Sequence, residues 1–119
     1  MEKLNGETAA AETHARRVLV VDDDPILLEV MCEQLGFLGY NCLQAENGEE
    51  GAAIVAREPL NLAIVDISMP KLDGFGLLRH IRQNPRSLDL PVIVCTSHND
   101  RASIERAYEL GASSFVTKP

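Results

Sequence analysis

Two short apolar runs in this chain stop at carboxylates. Asp22-Asp23-Asp24 follows Val18-Leu19-Val20-Val21, and Asp66 follows Leu62-Ala63-Ile64-Val65. Two more runs stop at other polar groups. Val92-Ile93-Val94-Cys95 gives way to Thr96-Ser97, and Ser114-Phe115-Val116-Thr117 leads into Lys118. Carboxylates converging within a few Å raise one another's pKa unless a cation sits among them. An oxygen-only site with open positions suits Mg²⁺, which keeps several waters and often bridges to phosphate. A lysine opposite offers a compact positive charge to a phosphoryl oxygen. Thr96 adds a hydroxyl donor. Asp66 is then available as a carboxylate nucleophile on phosphorus, with metal and lysine neutralising the transferring group.

This chemistry needs the four run ends on one edge of one sheet. Apolar runs without polar alternation suit strands buried on both faces of a parallel sheet. Helix signals separate them. Asp24 caps a helix with Pro25 in its first turn, and Leu28, Met31, Leu35 and Leu38 form its inward face up to a stop at Gly39. Asn41 to Ala45 reads as a second strand. Asn47 with Glu50 resembles a capping box for a helix over 48–57, with Ile54 and Val55 inward. Asp73 caps a helix burying Leu77, Leu78 and Ile81, and Pro85 and Pro91 bracket a loop. Asp100 caps a last helix through Leu110, which Gly111 ends. The alternation β-α-β-α-β-α-β-α-β implies an α/β fold with parallel strands and helices on both faces.

The chain has 119 residues, which predicts one domain, and a formal net charge of −7. An acidic domain without a basic block is a poor partner for nucleic acid. No apolar run approaches the roughly 18 residues of a membrane span. Residues 1–16 lack apolar periodicity and read as a flexible tail, with no hydrophobic signal core, so a cytoplasmic location is expected. Cys32, Cys42 and Cys95 show no metal spacing and are expected to be buried reduced thiols.

Together, Val18 to Pro25, Val65 to Gly74, Val92 to Ser97 and Gly111 to Pro119 resemble the receiver domains of two-component response regulators. The resemblance covers residues 17–119. It implies a flavodoxin-like, doubly wound (βα)5-type parallel sheet with strand order 2-1-3-4-5. It implies Mg²⁺-dependent phosphoryl transfer from a sensor histidine kinase, or a small phosphodonor, to Asp66. Asp22, Asp23, Asp66 and the Ser68 backbone carbonyl would hold the metal. Thr96 and Lys118 would meet the phosphoryl group, and Thr96 with Phe115 would act as the switch. The Lys118–Pro119 bond is expected to be cis. The implied role is a signalling phosphoacceptor with only slow self-phosphorylation and autodephosphorylation, rather than an enzyme. Implied partners are the kinase or a phosphotransfer protein, a C-terminal output domain or effector, and a second copy through the fourth helix and fifth strand.

Some features depart from the family. Asn61 stands where many relatives have Asp. His98 lies near the expected site mouth and reads first as an exposed loop residue. Receivers continue into a fifth helix, whereas this sequence stops at Pro119. A truncated receiver is therefore expected, with an apolar sheet face left open. Two alternatives belong to other classes. A haloacid-dehalogenase-like phosphohydrolase would also form an aspartyl phosphate, but Ile67-Ser68 after Asp66 lacks that family's second acid. A degenerate receiver would serve as a phosphorylation-independent interaction module.

Overall fold

The computed structural model describes residues 16–68, 73–97 and 100–118. The expected tail up to Ala15, the Met69–Leu72 segment, His98 and the Lys118–Pro119 bond lie outside the described residues. The elements run β1 (Arg17–Val21), α1 (Pro25–Phe37), β2 (Asn41–Ala45), α2 (Gly48–Arg57), β3 (Leu62–Val65), α3 (Gly74–Gln83), β4 (Val92–Thr96), α4 (Arg101–Glu109) and β5 (Ser114–Thr117). All strand pairings are parallel, and the sheet order is β2-β1-β3-β4-β5.

The predicted caps form. The Asp24 carboxylate accepts from the amides of Ile26 and Leu27, and Asp73 and Asp100 do the same for Gly76 and Ser103. Asn47 accepts from Glu50 N at 2.9 Å, while the Glu50 carboxylate reaches back to Glu46 N rather than to Asn47 itself. Gly39 and Gly111 have φ of +93° and +105°, the left-handed turn that side chains with a Cβ avoid.

Side-chain alternation divides each strand between two cores. Leu19, Val21, Ala63, Val65, Val92 and Val94 face the larger one, packed against Ile54 and Val55 of α2, Leu77, Leu78 and Ile81 of α3, and Ala107 of α4. Val18 and Val20 face the other side, where they meet Leu28 of α1 with Met31, Cys32, Leu35, Cys42, Leu62 and Ile64. Among the described residues one helix covers that second face, and Val116 at its far end is 47% exposed.

Two expectations need correction. Leu38 is not an inward residue of α1. It is the C-cap, 73% exposed, because the helix ends at Phe37. In its place α1 carries a second, outward apolar stripe of Ile26, Val30 and Phe37. The cysteines are not all reduced. Cys32 and Cys42 are joined in a disulfide, because α1 lies across β2 with their Cα atoms 5.4 Å apart. Cys95 remains a free thiol.

Arg82, near the end of α3, ties three segments together. Its Nε donates to the Gly111 carbonyl at 2.9 Å, and its Nη1 donates to the carbonyls of Leu88 and Leu90. Burial lowers its pKa, with Asp89 opposing. The Arg82→Ala variant strips these carbonyls of a charged donor. A loss of about 2–3 kcal/mol is expected, read as a lower urea midpoint.

Candidate functional site

The strand tips meet because the hydrogen-bond ladder continues past the strands. Asp22 N donates to Ala45 O at 3.0 Å, Asp66 N to Val21 O at 3.0 Å, and Lys118 N to Thr96 O at 2.9 Å. Val21 is level with Val65, and Thr96 with Thr117. Each tip residue is thus fixed by its backbone, while its side chain clears the sheet at the C-terminal edge. This is the edge at which open α/β sheets bind ligands.

Asp22 and Asp66 are buried, and Lys118 lies between them. Its Nζ is 2.6 Å from Asp22 Oδ2 and 3.1 Å from Asp66 Oδ2. The second oxygen of each acid binds a backbone amide. Asp22 Oδ1 accepts from Asp24 N at 3.0 Å, and Asp66 Oδ1 from Ser68 N at 3.1 Å. Asp23 is exposed beside them. One carboxylate oxygen from each of Asp22, Asp23 and Asp66 lies within 4.8 Å of the others. An octahedral Mg²⁺ with oxygens at 2.0–2.1 Å sets neighbouring ligands about 2.9 Å apart and opposite ones about 4.2 Å apart. Three hard, anionic oxygen donors gathered this closely are the donor set that suits Mg²⁺.

The other expected residues fall around this cluster. Thr96 is fully buried, and it is the last residue of β4 rather than the first beyond it, since it pairs with Thr117. Ser68 is exposed and joins the cluster through its amide. Phe115 is half-buried on β5, level with Val94, and packs at the margin of the larger core. Gly74 was not anticipated from sequence. It opens α3 directly against the backbone of Asp66 and Ile67, where any Cβ would overlap the Asp66 carbonyl and the Ile67 Cα. The run Asp73-Gly74 after Asp66 carried that signal, but only as a cap.

Burial by itself would lower the Lys118 pKa. The hydrogen bonds and charges of Asp22 and Asp66 outweigh burial and hold it above the ordinary lysine value of 10.5. A folded pKa raised above the unfolded one stabilises fully below the unfolded value and is lost as the pH rises through the folded one. The stability gap between the wild type and a Lys118→Met variant, measured by urea titration, is therefore expected to be full below the ordinary lysine value and to narrow above about pH 10.5.

Residues 18–119 match the family model for the response regulator receiver domain. A probable chemotaxis protein CheY from Rhizobium etli is 38% identical over 87% of this chain and 81% of its own length. A probable transcriptional regulator ycf27 from Cyanophora paradoxa is 36% identical over 91% of this chain, which spans 44% of that relative's length. Among solved structures, the response regulator TrrA from Thermotoga maritima, in complex with Mg²⁺ and BeF, superposes with a TM-score of 0.78 at 33% identity, covering 87% of each chain. These matches set aside the haloacid-dehalogenase-like reading. With the strand order and the clustered tips, they identify this chain as a member of the response regulator receiver family, a CheY-like domain of two-component signalling.

Proposed function

We propose that Asp66 is the phosphoacceptor of this receiver. The observation that carries the reading is the Lys118 ammonium held between the buried Asp66 and Asp22. An Asp66 carboxylate oxygen attacks phosphorus in line with the leaving group. With a histidine kinase or phosphotransfer protein as donor, the P–N bond breaks and the imidazole leaves. With acetyl phosphate, acetate leaves. Asp22, Asp23, Asp66 and the Ser68 carbonyl are the groups that would hold Mg²⁺, which supplies charge neutralisation at the phosphoryl oxygens when bound.

Lys118 then pairs with the phosphoryl group, and Thr96 donates its hydroxyl to it. The new charge draws Thr96 toward the site, and Phe115 turns inward into the space behind it. This alters the surface formed by α4 and β5, where a second copy or an effector binds. Self-phosphorylation from small donors and loss of the phosphoryl group to water are slow side activities of the same site.

The receiver begins at Arg17, and its output lies in another segment or protein. The ycf27 relatives bear the name of transcriptional regulators, so a DNA-binding output fits this family. The net charge of −7 argues that the receiver itself does not touch DNA. The domain works in the cytoplasm, where kinases and phosphodonors are found.

Incubation with acetyl phosphate and Mg²⁺ is expected to add the mass of one phosphoryl group to the intact protein. Asp66→Asn and chelation of the metal should each abolish the adduct. A folded wild-type protein that binds Mg²⁺ and stays unmodified would sink the proposal.

A further inference from the structure

The smaller core holds α1 to the sheet, and its fully buried members are Val18, Val20 and Leu28. Cys32 of α1 and Cys42 of β2 sit in this thin cluster and are only half-buried. Their Cα atoms are 5.4 Å apart, close to the usual value of about 5.5–6 Å for a disulfide. Strand and helix therefore accept the cross-link without moving, and small reagents can reach it. We propose that Cys32 and Cys42 form a reversible dithiol–disulfide couple, a redox modification site that fastens α1 to β2.

The chemistry balances with a peroxide as oxidant. One thiolate attacks a peroxide oxygen, the O–O bond breaks, and a sulfenic acid and water form once the proton is returned. The second thiolate attacks that sulfur and releases the oxygen as a second water, leaving the S–S bond. Sulfur is oxidised by two electrons, and the peroxide is reduced by two. A low-molecular-weight thiol reverses the step by exchange and is itself oxidised to its disulfide. The reduced resting state rests on the cytoplasmic placement proposed above, since that compartment keeps thiols reduced.

The position of the link gives it a target. α1 starts at Pro25, directly behind Asp22, Asp23 and Asp24, and Cys32 lies about two turns further along. Closing the link across a sequence separation of 10 also restricts the unfolded chain. Oxidation thus tightens the helix that anchors the acidic loop.

The test uses the whole chain and its Cys95→Ser variant. Folded protein is treated with hydrogen peroxide or with reduced glutathione, then quenched in denaturant containing N-ethylmaleimide and weighed intact. After peroxide the wild type should carry one maleimide, on Cys95, and the variant none. After glutathione the counts should be three and two. The melting temperature should be about 10 °C higher in the oxidised form, and the α1 amides should exchange more slowly with deuterium. Three distinct results would overturn the proposal. Full labelling after peroxide, or a disulfide between two chains, refutes the couple. A link that glutathione opens only after denaturation refutes its reversibility. Unchanged α1 exchange refutes the fastening. None of these readouts depends on phosphorylation of Asp66.

Discussion

One ammonium group placed between two buried carboxylates is the interaction on which the site depends. Asp22 and Asp66 are withdrawn from water, and buried anions without a partner are costly. Lys118 reaches both, and backbone amides satisfy the oxygens it leaves. The cluster can therefore be closely packed with charge before any metal or phosphoryl group arrives. The same arrangement sets a positive charge directly beside the Asp66 carboxylate. It also makes the site a product of three distant pieces of chain, joined by a sheet that fixes their level to within one residue.

The sheet achieves this through unequal support on its two faces. The larger core grips β1, β3 and β4 against three helices, so the strand that presents Asp66 cannot slide relative to the strand that presents Asp22. Gly74 adds a second restraint, bringing the start of α3 down onto the Asp66–Ile67 backbone. The face carrying α1 is thinner, and its helix is apolar on both its inner and outer sides. Rigidity is thus concentrated behind Asp66, while α1 and the acidic loop it follows rest on fewer buried side chains.

Much of this was legible in sequence for a local reason. Apolar runs without alternation at Val18–Val21, Leu62–Val65 and Val92–Cys95 suit strands covered on both faces. Asp24, Asn47, Asp73 and Asp100 each stand three residues or fewer before the amides they cap. The features that escaped are tertiary. Nothing local distinguishes Arg82 from any other basic residue near a helix end, yet it closes three carbonyls. The Cys32–Cys42 link joins a helix to the strand that follows it, at a spacing that matches no metal or redox motif. Leu38 obeyed the helical period but fell one residue past the last turn. Gly74 read as an ordinary first-turn residue because the carbonyl it must clear belongs to another element.

Lys118 lies 52 residues beyond Asp66 and just past β5, which among the described residues is an edge strand paired with β4. Synthesis runs from the amino end at about 5–20 residues per second, so Asp66 precedes its cation by roughly 3–10 s, and Asp22 by about twice as long. During that interval the acidic tips have no lysine from this site to balance them. Lys118 is the residue whose arrival allows Asp22 and Asp66 to be buried together.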